Sequence, residues 1–226
     1  MQTDDSRRGR NRERRIWPWV VAAVLLVAAQ SATHLTNELF LGGRYPSLNA
    51  AVDASVFGRA NSLAIGMSAA LVALAARHGR RRASRLLLAG FILLVMVDDA
   101  TGFHDRLGVS LDVDAAVLGL GTVLTVAAWL LLREAAVARR GPRLLLVVGL
   151  SALASAVVVR LVAATGVGAD LGATTKALGV ACEQGLDFGG WVLLAMGLFA
   201  LLAEESDRTG EESLLVADPR PLNRAV

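Results

Sequence analysis

Cysteine is almost absent. Cys182 is the only one, so the chain can form neither an internal disulfide nor a multi-cysteine metal site. Histidine is nearly as scarce, with His34, His78 and His104 as the whole supply. Aromatic residues make up 5% of the chain and none interleaves with its basic clusters. With no nucleic-acid motif either, the net charge of +3 and pI near 9.9 do not signal a nucleic-acid partner. Dinucleotide, P-loop and HExxH motifs, internal repeats and a separate soluble domain are also missing.

Apolar residues dominate instead. They form 54% of the chain, mean hydropathy is +0.53, and they fall in long blocks. This is the composition of an all-α, polytopic membrane protein. Crossing ~30 Å of hydrocarbon at ~1.5 Å per residue takes about 20 residues. Six blocks qualify: 17–40, 56–76, 85–105, 114–132, 143–163 and 173–203. The second is the least regular, with Arg59 and Asn61 near its first turn. The domain expectation is a basic, disordered segment 1–15, a transmembrane domain 16–203 and a disordered tail 204–226. A competing reading of the first block is a signal peptide, from its basic start and Ala28-Ala-Gln-Ser-Ala32; the span-length apolar run favours a retained helix.

Arginine sets the direction. Arg7, Arg8, Arg10, Arg12, Arg14 and Arg15 precede the first span. Arg77, Arg80, Arg81, Arg82 and Arg85 separate spans two and three, and Arg133, Arg139, Arg140 and Arg143 separate four and five. The alternate connections hold Arg44 and Arg59, then Arg106, then Lys176. The positive-inside rule places both termini in the cytoplasm of a plasma-membrane protein. Trp17, Trp19 and Trp129 sit where interfacial aromatics belong, and His78 falls among the cytoplasmic arginines.

Acids inside these spans are the informative anomaly. Each ionised carboxylate in hydrocarbon costs roughly 2.5–3.5 kcal/mol on insertion scales. Asp98 and Asp99 close an apolar run and are followed by Thr101, His104 and Asp105; Glu183 and Asp187 interrupt the last span. With the expected topology all lie in the outer half, as do Gln30, His34, Asn37 and Glu38 of span one. At 100° per residue these four share a face. Asp98, Thr101 and Asp105 share another, with Asp99 pointing away from it. Lys176, Gly179, Glu183, Asp187 and Gly190 form a third stripe. The expectation is that all three stripes line one outward-facing polar pocket. Arg160 is expected to snorkel, or to serve as the pocket's counter-ion. Gly185 and Gly189 fit a GxxxG face for helix dimerisation.

At Met96-Val-Asp-Asp-Ala-Thr-Gly-Phe-His-Asp-Arg-Leu107 the chain resembles a bacterial family of multi-pass membrane proteins of unassigned activity. That family's signature is an intramembrane Asp-Glu followed by His-Glu and often Arg-Leu. Cys182-Glu-Gln-Gly-Leu-Asp-Phe-Gly-Gly190 is similar to the family's late Glu-x-x-x-Glu-x-x-Gly helix. Asp99, Asp105 and Asp187 stand where the family usually has Glu, which draws each carboxylate back by a methylene. The resemblance implies a carboxylate site and assigns no reaction. The histidine patterns of ceramidase-like and adiponectin-receptor-like membrane hydrolases are absent.

Carboxylates with one or two imidazoles suit a divalent zinc, manganese or iron ion. The leading expectation is therefore a metal-assisted hydrolase acting on a lipid or small molecule at the outer leaflet. Asp98, His104 and Glu183 are the expected metal ligands and Asp99 or Asp187 the general base. His34, Glu38 and Asp105 are further pocket residues. The alternatives are a non-catalytic membrane subunit held together by these polar stripes, and a proton- or cation-coupled transporter.

Overall fold

The computed structural model describes residues 3–50, 52, 55–77, 81–101, 113–164 and 172–217, with backbone alone for 3–16, 19, 113–121 and 207–217. Six α-helices and no strand are found among them. They are α1 (Thr3–Leu39), α2 (Val56–Ala75), α3 (Arg82–Thr101), α4 (Val113–Val137), α5 (Arg140–Ala164) and α6 (Ala173–Ala217). Four helices contain stretches long and apolar enough to cross a membrane: Val20–Leu39, Val56–Ala75, Arg140–Ala163 and Ala173–Ser206. In α3, Arg82 and Arg85 at one end and Asp98 and Asp99 at the other raise the charge.

Helices outrun the apolar blocks. α1 begins at Thr3 and α6 continues to Ala217, so both extend into segments for which composition suggested disorder. Arg and Glu are good helix formers, and adding a residue to an existing helix needs no new nucleus. Pro18 lies inside α1, where it removes one i→i−4 bond between the basic arm and the apolar stretch.

Between α1 and α2 the chain turns through Gly42 and Gly43, whose φ values of 60° and 70° are left-handed and suit glycine. A short 3₁₀ turn, Pro46–Leu48, follows. The Ser55 side chain then caps α2, accepting from the Gly58 N–H at 3.0 Å.

α6 is the central element, packed against α1, α2 and α5. α2 continues to α3, α3 to α4 and α4 to α5, so α2 through α6 close a circuit with α1 outside it on α6. The tightest seam is α5 on α6. A Cβ on Gly149 would stand 2.9 Å from the Gly190 carbonyl oxygen, and one on Gly190 would stand 2.8 Å from Leu153. Gly197 meets Leu146 in the same way, 2.9 Å away. Such backbone approach is how helices gain dispersion contact where the hydrophobic effect is weak. Gly185 and Gly189, read from the sequence as a dimerisation face, are used within the chain. Ser31 and Val27 of α1 lie over them.

Ile65, Leu88, Ile92, Leu146 and Leu194 are the most deeply buried apolar side chains. Large apolar residues also cover the outside, among them Leu25, Leu26, Leu63, Leu87, Leu94, Leu144, Val158 and Phe199. An outer surface of this kind fits lipid, not water.

Candidate functional site

Two polar layers stand at opposite ends of the helices. One gathers where α2 begins and α3 ends. Asn61 of α2 donates through its single Nδ2 to Asp99 Oδ1 of α3 at 3.2 Å and to Asp187 Oδ2 of α6 at 3.0 Å. Ser62 donates to the other Asp99 oxygen, Oδ2, at 2.5 Å. One turn along α6, Glu183 accepts from Arg160 Nε of α5 at 2.7 Å. The Arg160 charge also acts on Asp187 and Asp99, so the four groups form one electrostatic unit. Four helices of the circuit thus contribute to one cluster of three carboxylates and a guanidinium.

This arrangement revises the helical-phase reading of α3. Asp99, expected to point away, is the aspartate that joins α2 and the Asp187 layer. Asp98 is partly buried next to it. Phase alone placed Asp98 beside Thr101, but Thr101 is exposed and donates back to the Val97 carbonyl at 2.6 Å. His104 and Asp105 lie outside the described residues. No group of three His, Cys, Asp or Glu side chains arranged to hold a metal occurs among the described residues. Arg160, expected chiefly to snorkel, is partnered by Glu183.

The polar stripe of α1 does different work. α1 packs outside the circuit, and its last residues bind the connection that follows them. Asn37 both donates to the Tyr45 carbonyl and accepts from the Tyr45 N–H, each at 3.1 Å. Glu38 accepts from Asn49 at 3.0 Å. His34 Nδ1 accepts from the Ala50 N–H at 3.1 Å, which fixes its remaining proton on Nε2. In that tautomer Nε2 has no lone pair to offer a metal, so His34 is a donor in this site and not a ligand.

Among the described residues, three buried side-chain polar atoms have no hydrogen-bond partner: Gln30 Oε1, His34 Nε2 and Asn61 Oδ1. Their residues are 4%, 1% and 4% exposed. Each such atom costs about 1–3 kcal/mol if nothing meets it.

The second polar layer was not foreseen as a unit. Arg85 of α3, buried, reaches Glu134 of α4 at 2.8 Å, Glu205 of α6 at 2.5 Å and the Ala75 carbonyl at the end of α2 at 2.9 Å. Arg81 adds a longer contact to Glu134, 3.7 Å. The sequence marked Arg85 only as a topology arginine and gave Glu134 no role. Asn61 was likewise read only as a blemish on span two. A polar residue one turn inside an apolar helix was the available signal.

From Arg85 to Asp99 the rise along α3 is about 21 Å, so the two layers are separated by most of a hydrocarbon thickness. The apolar core, including Ile65, Ile92 and Leu194, belongs to the interval between them.

Fold and site together define an all-helical protein with four membrane-length apolar helices and an acidic cluster between α2, α3, α5 and α6. Residues 18–202 match the family described as "Domain of unknown function (DUF8692)", and the chain belongs to that family. No curated protein and no solved structure matches it.

Proposed function

We propose that the chain is a six-span plasma-membrane protein, both termini cytoplasmic, whose outer-half carboxylates bind a cation. The arginine distribution supports this direction. The Arg133 guanidinium 5.8 Å from the Trp129 ring and Arg44 6.0 Å from the Tyr45 ring are interfacial pairings at the two opposite ends and fit a membrane position without setting its direction. α3 and α4 complete the span count, their charges falling at helix ends.

The observation that carries the cation reading is the gathering of acids from two helices. Asp99, Asp187 and Glu183 meet at one level beside the Arg160 guanidinium, in a setting that penalises charge. Carboxylate oxygens are ligands for a divalent ion such as manganese or zinc, and to hold one the three acids would draw closer together than they stand here. When bound, that ion would supply Lewis acidity and an activated water for hydrolysis of a lipid or small molecule reached from the outer leaflet. Asn61 and Ser62 hold the acids apart and oriented, while Arg160 holds Glu183. The apolar interval below favours a site served from one side over a path across.

A second reading, helix glue without a ligand, draws on the fact that each of these three acids already has a protein hydrogen-bond donor. Element analysis of detergent-purified wild type, Asp99→Asn and Asp187→Asn separates the two. Metal in the wild type that is lost from folded variants supports the cation site. Metal-free wild type with variants that only lose stability supports glue.

A further inference from the structure

We infer that Arg160 holds the headgroup phosphate of a membrane lipid at the α5–α6 seam, through the guanidinium nitrogens that Glu183 leaves open. The inference holds whether or not a cation occupies the carboxylates.

Its basis is the way Arg160 is tied. The residue stands about 5 Å, along the helix axis, from the end of the membrane-length stretch Arg140–Ala163. Its Nε donates to Glu183 Oε1 at 2.7 Å, and no second hydrogen bond or ion pair of Arg160 occurs among the described residues. The bond fixes one side of the planar group and leaves the N–H groups of both Nη nitrogens unused. The Glu183 side chain is 15% exposed, whereas that of Arg160 is 62% exposed. The open donors therefore lie on the outside of the bundle. Val157, Val158, Leu161 and Val162, which flank Arg160 on α5, are exposed too. A surface of that composition is covered by lipid.

Chemistry selects the occupant. Donors beside hydrocarbon need an acceptor, and lipid tails have none. A guanidinium takes phosphate oxygens through two parallel N–H···O bonds, and a snorkelling side chain carries it to the interface where lipid phosphates lie. A free anion has less reason to stay. Asp187, a turn deeper on α6, and Asp99 act on the same charge and would repel it. A lipid phosphate is already confined to the interface at high effective concentration, which offsets that repulsion. Held there, the headgroup would lie beside Glu183, at the edge of the acidic cluster.

Native mass spectrometry of the full-length protein in detergent tests this, with phosphatidylglycerol or diacylglycerol of the same chains as the probe. Wild type should retain one phosphatidylglycerol at concentrations where diacylglycerol does not bind. Arg160→Gln should weaken that affinity about tenfold, as expected for losing a bond to a charged acceptor. Arg160→Lys keeps a cation for Glu183 but lacks the planar fork, so it should stay folded and weaken binding about threefold. Thermal unfolding verifies that each variant is folded. Inorganic phosphate should not displace the lipid. Wild-type affinity in either folded variant, equal retention of the two lipids, or displacement by inorganic phosphate would overturn the inference.

Discussion

Asp99 on α3 and Asp187 on α6 share one hydrogen-bond donor, the Nδ2 of Asn61, at 3.2 and 3.0 Å. Two carboxylates from helices far apart in sequence are thereby fixed side by side in a region otherwise built from Leu, Val, Ala and Gly. Removing the shared donor should loosen both. Asn61→Leu is expected to lower stability in detergent by about 2–3 kcal/mol, the range for losing bonds to charged acceptors. Ser62→Ala, which takes one donor from Asp99, should cost about half as much. Thermal unfolding of the two variants checks the order, and equal stabilities would contradict the shared-donor geometry.

The Arg85 layer should respond asymmetrically. Arg85→Leu leaves Glu134 buried without its main partner and is expected to cost about 3–5 kcal/mol. Glu205→Gln, at a partly exposed partner, should cost about 1 kcal/mol. Chemical denaturation in detergent measures both. Restoration in Arg85→Leu/Glu134→Leu, where neither charge remains, would identify the uncompensated carboxylate as the cause.

Glycine substitutions should separate by place. Gly149→Ala and Gly190→Ala push a methyl into the α5–α6 seam, where backbone atoms cannot yield, and should lose about 1–3 kcal/mol. Gly90→Ala and Gly179→Ala meet nothing within 4 Å and should be neutral or slightly stabilising. Thermal unfolding of the four variants reads this directly.

Asn37 holds Tyr45 through both backbone groups, so Asn37→Ala should free the α1–α2 connection. The expected result is proteolysis within residues 40–55 several-fold faster than in wild type, with little change in the unfolding of the bundle, since loop opening is local.

Much of this architecture is legible in the chain. All six apolar blocks correspond to helices, because block length and hydropathy are local properties and a helix satisfies its own backbone. Side-chain partnership is not local. The 100° rule set Asp98 on the polar face of α3 and turned Asp99 away, whereas which neighbour lies on which side decides the matter. α2 stands against Asp99. Asn61 looked like a defect because its value depends on residues 38 and 126 positions away. The α1 stripe was recognised as polar, yet its residues serve the connection at 45–50, a partner that helical phase cannot reveal.

The central claim is that Asp99 and Asp187 bind a cation. Equilibrium binding of manganese or zinc to purified full-length protein, wild type against Asp99→Asn/Asp187→Asn, tests it most directly. The expected result is about one ion per chain in the wild type, absent from a double variant that remains folded. Equal binding in both proteins, or none in either, would contradict it.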